Sequence, residues 1–405
     1  MAGRDLPKGN AAIGQSGGPT AVINQSLVTC AMALRKLPHI KRVLGMRHGV
    51  NGLVKDQVVD LGRVNAQHLA QVARTPSAAL GSSRDKPDKA YCEQILAACR
   101  KHNIRYFFYI GGNDSSDTCR IVNELAHTSG YDMRCFHIPK TVDNDLMLSD
   151  HTPGFPSAAR FLALAFMSDS LDNASLPGVK LNIVMGRHAG FLTGAAALAR
   201  GDGRDADRNG PHLVYLPEVP FDQQRFLADV ERVYARLGRC QVAVSEGIQN
   251  AAGAPIATTL VQGLDRDAHG NVQLSGVAAL GDALADLVKK NVKSGGSSIR
   301  VRADTFGYLQ RCWPDPSPVD IKEARAVAAF AVRLAAKGEL SGSVAIVRKR
   351  SKPYASEMKH IELSDVAGKT RHMPAEFIDG HCNVSRAFLK YSLPLVGPLP
   401  IMARL

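Results

Sequence analysis

The sequence predicts an α/β protein built on parallel β-sheets. Short apolar runs alternate with helix-like stretches along the chain, and most of the apolar runs end in glycine or polar residues. The order strand, glycine-rich turn, helix and next strand is typical of parallel sheets. With 45% hydrophobic and 21% charged residues, the composition is that of a globular protein. The length of 405 residues allows two or three domains of roughly 150 residues each.

The predicted elements alternate from the N-terminus onward. Ligand sites in parallel sheets lie outside the carboxyl ends of the strands, so we expect the functional residues in the turns that follow them. The predicted strands are residues 11–13, 105–110, 133–138, 181–185, 213–216 and 241–245. The predicted helices are residues 21–36, 90–101, the stretch after 117, 189–200 and 223–237.

The charge balance indicates anionic small substrates. The chain has 50 basic and 37 acidic residues, which gives a formal net charge of +13. Nucleic-acid-binding proteins usually concentrate their basic residues in runs or stripes. Here the one dense cluster is at 348–352, and the other basic residues are scattered among acidic ones. We therefore expect no nucleic-acid partner.

The sequence also predicts a cytoplasmic protein without a membrane partner. No stretch approaches the ~18 apolar residues of a membrane span. Residues 1–10 lack the apolar core of a signal peptide. The eight cysteines form no CxxC pair, and we expect them to be reduced and mostly buried.

The first candidate site residues are Gly17 and Gly18, between a predicted strand and a predicted helix. Backbone N–H groups at a helix N-terminus can bind a phosphate where no Cβ atom obstructs them. A tight turn without a ligand uses the same residues. The diglycine alone does not decide between the two.

A second glycine pair, ending at Gly112, follows the aromatic run at 105–110. Two glycines allow a ligand to approach the backbone closely. The next residues, Asn113 and Asp114, carry oxygen atoms suited to a hard cation such as Mg²⁺. The alternative is a purely structural turn in which Ser115 caps the following helix.

The segment at 139–145, Pro-Lys-Thr-Val-Asp-Asn-Asp, is the strongest candidate for catalysis. In extended backbone alternate residues share a face, which would make Thr141, Asp143 and Asp145 point together. Two neighbouring carboxylates repel each other unless a metal or a proton lies between them. One could hold Mg²⁺ while the other removes a proton from a hydroxyl. The alternative is an Asx-rich turn that caps a helix.

Two further turns carry candidate ligand contacts. Met185, Gly186 and Arg187 join a predicted strand to a predicted helix, where Arg187 could contact a phosphate or a sugar. Glu246 ends another predicted strand and could accept hydrogen bonds from sugar hydroxyls. Any one of these residues alone is more simply explained as a surface residue.

A third candidate region runs from 301 to 311. Two arginines, Arg302 and Arg311, flank Tyr308, and this combination suits a sugar phosphate. Here too, any one of these residues alone is more simply explained as an ordinary surface residue.

Taken together, these segments resemble the phosphofructokinase family. The family transfers a phosphoryl group to the 1-hydroxyl of fructose 6-phosphate. The resemblance implies two Rossmann-like three-layer α/β/α domains with the active site in the cleft between them. The matching segments occur in the family's order, over roughly residues 11–345, at 16–18, 111–115, 139–145, 185–187, 246, 302 and 308–311.

The same resemblance implies the domain boundaries. We expect residues 1–150, completed by part of 312–350, to bind the phosphoryl donor, and residues 151–311 to bind fructose 6-phosphate. Residues 351–405 are expected to form a C-terminal extension, to which no pattern assigns a role. A homo-oligomer is expected, with a homodimer favoured.

Two positions resemble the pyrophosphate-dependent branch of the family. Asp114 stands where ATP-dependent enzymes usually have glycine, and Lys140 stands where they have glycine after the proline. A carboxylate ~4 Å from a nucleotide phosphate costs about 4 kcal/mol at an effective dielectric near 20. The ammonium group of Lys140 would bind the leaving phosphate.

The family's roles, transferred to the matching positions, give a set of expected site residues. Asp143 would take the proton from the 1-hydroxyl, Thr141 would orient that hydroxyl, and Arg187 would lie beside the transferring group together with Lys140. The residues expected to bind or select the donor are Gly17, Gly18, Gly112, Asp114 and Lys140. Those expected to bind the sugar phosphate are Thr141, Asp143, Met185, Gly186, Arg187, Glu246, Arg302, Tyr308 and Arg311. Those expected near Mg²⁺ are Asn113, Asp114 and Asp145.

The implied reaction uses Mg²⁺ and pyrophosphate and is reversible, in glycolysis and gluconeogenesis. An ATP-dependent 6-phosphofructokinase is the nearest alternative. A non-catalytic regulatory subunit that binds sugar phosphates is another, although the intact run at 143–145 argues against it.

Overall fold

The computed structural model describes residues 6–201, 207–260, 279–294 and 297–403. The chain divides into two compact units. The first consists of Met1–Ser157 and Arg311–Arg371, and the second of Ala158–Gln310 and His372–Leu405. Residues beyond 350 are thus shared between the units, whereas we expected one separate extension. The functions expected for the two domains, and the position of the active site relative to them, stay predictions.

The described residues form the following elements. The strands are β1 (Gly9–Gln15), β2 (Ile40–Met46), β3 (Val58–Asp60), β4 (Ile104–Gly111), β5 (Arg134–Pro139), β6 (Val179–Val184), β7 (Leu213–Tyr215), β8 (Cys240–Ser245), β9 (Lys293–Ser294), β10 (Ser297–Ser298), β11 (Val301–Thr305), β12 (Ser341–Ser351) and β13 (Tyr354–Ile361). The helices are α1 (Ile23–Leu34), α2 (Val50–Val54), α3 (Ala66–Arg74), α4 (Lys89–Lys101), α5 (Asn113–Thr128), α6 (Phe155–Ser175), α7 (Phe191–Ala195), α8 (Gln223–Leu237), α9 (Ile256–Leu260), α10 (Ala279–Asn291), α11 (Leu309–Cys312), α12 (Pro318–Ala336), α13 (Leu363–Val366) and α14 (Arg386–Val396).

The first unit is built on a seven-stranded sheet in the order β13-β12-β5-β4-β1-β2-β3. Its five central strands are parallel, and the edge strands β13 and β3 are antiparallel to their neighbours. Successive side chains of a strand point to opposite faces. Accordingly, Tyr106 and Phe108 of β4 pack under α1 and α12, while Phe107 and Tyr109 pack under α4 and α5. This unit therefore has the predicted three layers.

The second unit contains a four-stranded parallel sheet in the order β11-β6-β8-β7. Apolar residues such as Leu181 and Val242 pack on one face against α8 and α10. On the other face, Asn182 and Gln241 donate hydrogen bonds to Asp169 of α6, at 2.8 and 2.6 Å. The prediction of an α/β protein is confirmed.

No helix in the described ranges combines the length and the apolar character that crossing a lipid bilayer requires.

A buried ion pair ties three elements of the first unit together. The fully buried ring of His151 contacts Glu323 of α12 through Nε2 at 2.5 Å and Asp150 through Nδ1 at 2.8 Å. Tyr354 of β13 donates a hydrogen bond to the same Glu323 at 2.6 Å. Burial lowers the pKa of His151, but the negative charges of Glu323 and Asp150 outweigh it and raise the pKa to about 9. The ring is therefore charged at neutral pH.

We predict that Glu323→Gln destabilises the first unit in a pH-dependent way. A histidine whose pKa is raised in the folded state contributes stability that is complete below its unfolded pKa of about 6.5. That contribution is lost as the pH rises through about 9. The free energy of unfolding in urea should therefore fall by about 3 kcal/mol in the variant at pH 6.5 and by much less at pH 9.5. The control is Glu357→Gln on β13, whose carboxylate pairs with exposed Lys349. An equal loss at both pH values would contradict the prediction.

Candidate active site

The turn after β1 brings two cations to two glycines. Gly17 has a φ of +75°, and a Cβ atom there would lie 3.1 Å from the Nζ atom of Lys140. A Cβ atom on Gly18 would lie 2.9 Å from the Cζ atom of Arg311. A larger residue at either position would push a cation away from the backbone. The glycines therefore allow two positive side chains to approach one turn.

The basis of the predicted phosphate site differs from our expectation. Helix α1 begins only at Ile23, and the N–H group of Gly17 donates to the carbonyl oxygen of Ser83 at 2.8 Å. The turn is therefore separate from the N-terminus of α1, and the N–H group of Gly17 already has a partner. Its positive character comes from the side chains of Lys140 and Arg311.

Lys140 follows the last residue of β5, and its side chain is buried. Its backbone N–H donates to the carbonyl oxygen of Gly111 at 2.9 Å, and its Nζ atom donates to the carbonyl oxygen of Gly18 at 2.7 Å. Burial, followed by the charge of Arg311, lowers the pKa of Lys140 to about 7. An anion in this turn would stabilise the ammonium form.

The residues that follow β4 lie close in space to the backbone of Lys140. A Cβ atom on Gly112 would be 3.7 Å from the carbonyl oxygen of Lys140. Helix α5 begins at Asn113, and its N-cap, Gly112, offers no side-chain cap. Capping by Ser115, the structural alternative, is therefore not what the structure shows.

The carboxylate of Asp114 lies in the first turn of α5 and forms an ion pair with Lys86 at 3.1 Å. Both side chains are largely exposed, at 60% and 64%. Lys140, in contrast, donates to Gly18. The two residues expected to select the donor therefore have separate partners rather than forming a pair.

The segment after Lys140 gathers Thr141, Asp143 and Asp145, although not by the predicted geometry. We expected an extended backbone, but Asn144 has a φ of +62°, so the expected alternation is wrong. The turn nevertheless keeps the side chains close. A hydrogen bond from Thr141 reaches Asp145, and the charge of Asp143 acts on the same carboxylate. Burial, followed by Asp143, raises the pKa of Asp145 to about 6.

Asn113 and Asp145 fit a hard divalent cation. The Nδ2 atom of Asn113 donates to the Oδ2 atom of Asp145 at 2.9 Å. The Oδ1 atom of Asn113 is buried and has no hydrogen-bond partner among the described residues. An unsatisfied amide oxygen beside a carboxylate with a raised pKa is a donor set that Mg²⁺ accepts. Asp114, the third expected ligand, is paired with Lys86 instead.

In the second unit, hydrogen bonds and close backbone packing connect two turns at the carboxyl edge of the sheet. The Oγ atom of Ser245 donates to the carbonyl oxygen of Gly186 at 2.7 Å. The N–H group of Gly186 approaches the Oε1 atom of buried Glu246 at 3.4 Å. A Cβ atom on Gly247 would lie 2.0 Å from the carbonyl oxygen of Arg187, so only glycine fits there. The structure thus brings the turn at 185–187 and Glu246 together.

The three residues expected from the run at 301–311 are not gathered in one place. Arg302 pairs in register with Lys180, at the opposite end of β6 from Met185. At ~3.3 Å per residue, that separates the two by roughly 16 Å along the strand. Tyr308 follows β11 and is 52% exposed. Arg311 belongs to the first unit and lies against its diglycine turn.

The structure adds two site residues that the sequence analysis missed. Lys86 is the partner of Asp114, and Arg371 holds the backbone beside Asp145 through its N–H group at 2.8 Å. Neither belongs to a recognisable motif. Arg371 lies in the segment whose irregular composition gave no pattern.

Comparison with known proteins shows the family to which the chain belongs. A family model described as phosphofructokinase matches residues 10–335. The pyrophosphate–fructose 6-phosphate 1-phosphotransferase of Rhodospirillum rubrum is 54% identical over 393 residues, covering 96% of this chain and 95% of that protein. The enzyme of the same name from Xanthomonas campestris is 37% identical over 411 residues, covering 98% and 94%. The crystal structure of a pyrophosphate-dependent phosphofructokinase from Marinobacter aquaeolei has a TM-score of 0.84 at 32% identity and covers 98% of this chain and 93% of that one. The chain therefore belongs to the phosphofructokinase family.

Proposed function

We propose that this protein transfers a phosphoryl group from pyrophosphate to the 1-hydroxyl of fructose 6-phosphate, giving fructose 1,6-bisphosphate and phosphate. The observation that carries this choice of donor is the buried ammonium group of Lys140 at the Gly17–Gly18 turn, beside the guanidinium group of Arg311. The relatives that carry the name of this activity cover nearly the whole chain. Because the donor is less energetic than ATP, the reaction runs in both directions.

The donor would bind at the diglycine turn. Lys140 holds the leaving phosphate there, and the absence of a Cβ atom on Gly17 and Gly18 leaves room for the two positive side chains at the turn. Because Arg311 lies against the same turn, we propose that it binds the donor as well, in place of the sugar-phosphate role expected from the sequence. Two cations at one turn neutralise the charge that moves onto phosphate as the bond breaks.

The acceptor hydroxyl would meet Asp143. This carboxylate takes the proton, and it lies close enough to Asp145 for its charge to act on that second carboxylate. Thr141 orients the hydroxyl, and its Oγ1 atom accepts a hydrogen bond from the N–H group of Asp143 at 3.1 Å, which fixes the base relative to it. When bound at Asn113 and Asp145, Mg²⁺ would neutralise charge on the phosphoryl oxygens.

The second unit would bind the sugar phosphate. Glu246 and the turn at 185–187 form one preorganised group. Arg187 in that turn would supply positive charge to a bound phosphate. Tyr308 would bind the sugar phosphate from the exposed end of β11. Arg302 lies too far along the strand to join this group in the same chain.

Asp114 would exclude nucleotides. It lies in the first turn of α5, whose N-cap residue, Gly112, is close to the backbone of Lys140. The phosphate groups of a bound nucleotide would bring negative charge close to this carboxylate and would be repelled by it. The ion pair with Lys86 and the exposure of the carboxylate weaken the repulsion, because solvent screens exposed charges.

A donor-exchange assay tests the proposed activity. The purified wild-type chain should phosphorylate fructose 6-phosphate with pyrophosphate and not with ATP, whereas Asp114→Gly should gain activity with ATP. The lost repulsion lies between about 1 kcal/mol in water and about 4 kcal/mol at a dielectric near 20, which is roughly a fivefold to thousandfold gain in kcat/KM. Asp114→Asn keeps the side-chain size and isolates the charge. Wild-type activity with ATP alone would refute the proposal.

Asp143→Asn should lower kcat for the pyrophosphate reaction by ~10²–10⁴ and leave the KM for fructose 6-phosphate nearly unchanged, because the base is lost while the binding groups remain. The measurement is steady-state kinetics at saturating pyrophosphate. Asp117→Asn, which removes a carboxylate paired with Arg120 on α5, serves as the control and should keep wild-type kcat. Near wild-type turnover in Asp143→Asn would remove this residue from the base role.

Lys140 should make pyrophosphate binding depend on pH. With a pKa of about 7 in the free enzyme, the amine is charged below pH 7 and loses its proton above it. The KM for pyrophosphate should therefore rise by up to about tenfold per pH unit above 7. The side chain of Lys140→Arg stays charged over this pH range. In that variant only the protonation of pyrophosphate itself changes with pH, so the KM for pyrophosphate should rise less. Parallel profiles of the two proteins would contradict this role.

A further inference from the structure

A segment near the C-terminus of the first unit forms backbone hydrogen bonds with both residues proposed to hold Mg²⁺. After α13, the N–H group of Gly368 reaches the carbonyl oxygen of Asn113 at 3.5 Å. Three residues later, the N–H group of Arg371 donates to the carbonyl oxygen of Asp145 at 2.8 Å. A single short stretch of backbone therefore connects the start of α5 to the loop that carries the two carboxylates.

The guanidinium group of Arg371 binds both ends of that loop. Its Nε and Nη2 atoms donate to the carbonyl oxygen of Asn144 at 3.2 and 2.7 Å. Its Nη1 atom donates to the carbonyl oxygens of Asp150, at 2.9 Å, and of Ser149. A planar fork with several fixed N–H groups can hold such separated acceptors at once, which the single ammonium group of lysine cannot do.

The loop has a conformation that needs this support. Asn144 and Leu148 both have a positive φ, of +62° and +60°. A left-handed backbone is uncommon outside glycine, and for leucine it is strained. Such residues persist where surrounding contacts hold them. Asn144 lies between Asp143 and Asp145, so its backbone angle determines the relative direction of the two carboxylates.

We propose that Arg371 is a positioning residue for phosphoryl transfer, which fixes the loop at 143–150 so that Asp143 meets the acceptor hydroxyl and Asp145 stays beside Asn113 to bind Mg²⁺. This inference rests on the roles proposed above for the two carboxylates. The Arg371 side chain donates to backbone carbonyl groups, and the proposed role needs no contact with either substrate. Residues that orient metal ligands typically change metal affinity or activity by 10–100-fold when they are replaced.

The test compares Arg371→Ala and Arg371→Lys with wild type. Both variants should lower kcat by about 10–100-fold and weaken Mg²⁺ binding by about tenfold, while KM for both substrates changes by less than about threefold. Calorimetric titration of the substrate-free enzyme with MgCl₂ reports binding without any turnover. Guanidinium ion at millimolar concentration should restore part of kcat in Arg371→Ala and none in Arg371→Lys, where the amine occupies the site.

Lys369→Ala is the matched control, since it removes an exposed positive charge two residues away and should leave both quantities unchanged. Wild-type kcat and wild-type Mg²⁺ affinity in both Arg371 variants would overturn the proposal, even if their thermal stability fell. If Arg371→Ala does not fold, Arg371→Lys alone decides. A wild-type chain without pyrophosphate-dependent activity would refute the proposed function, whereas the calorimetric result would still report whether Arg371 orders the metal ligands.

Discussion

The buried ammonium group of Lys140 is the feature on which the proposed donor site depends. A charged amine loses its hydration when it is buried, and here one backbone carbonyl, that of Gly18, replaces the lost water. Arg311 brings a second positive charge to the same turn. An anion that contacts both cations offsets this cost, and a compact, multiply charged one does so best. Pyrophosphate has that character, and it requires no pocket for a base or a ribose.

The sheet of the first unit explains why the residues proposed to bind the donor and to act as the base lie close together. Strands β4 and β5 are parallel neighbours, with Gly111 opposite Pro139 in register. The turns that follow them are therefore side by side, and Asn113 from one reaches Asp145 from the other. The His151–Glu323 ion pair anchors the far end of the same loop to α12. The arrangement of the proposed catalytic residues in this unit thus follows from the strand order combined with buried polar contacts.

Much of this arrangement could be predicted from the sequence because its signals are local. Apolar runs located β1, β4, β5, β6 and β8, and the rule that ligands bind at the carboxyl ends of parallel strands located the turns. The clustering of Thr141 with Asp143 and Asp145 was also correct, although the left-handed Asn144 produces it rather than an extended strand.

The remainder depends on contacts between residues far apart in sequence. Arg311 follows Tyr308 by three positions, yet the two belong to different units, and no local pattern marks that division. Arg371 reaches Asn144 across 227 positions of the chain. Neither position carries a motif, because hydrogen bonds to backbone carbonyls place few demands on neighbouring side chains. Sequence periodicity reports secondary structure and cannot report such contacts.

The discontinuous units have a consequence for how the protein is made. Strand β12 completes the first sheet beside β5, and its Ser343 contacts His137, 206 positions earlier. A ribosome must therefore synthesise most of the polypeptide before either hydrophobic core can close. Until then the edge of β5 stays open, and an unpaired strand edge is a template for association with other chains. Nascent or truncated forms should thus depend on chaperones far more than a protein whose domains follow one another along the sequence.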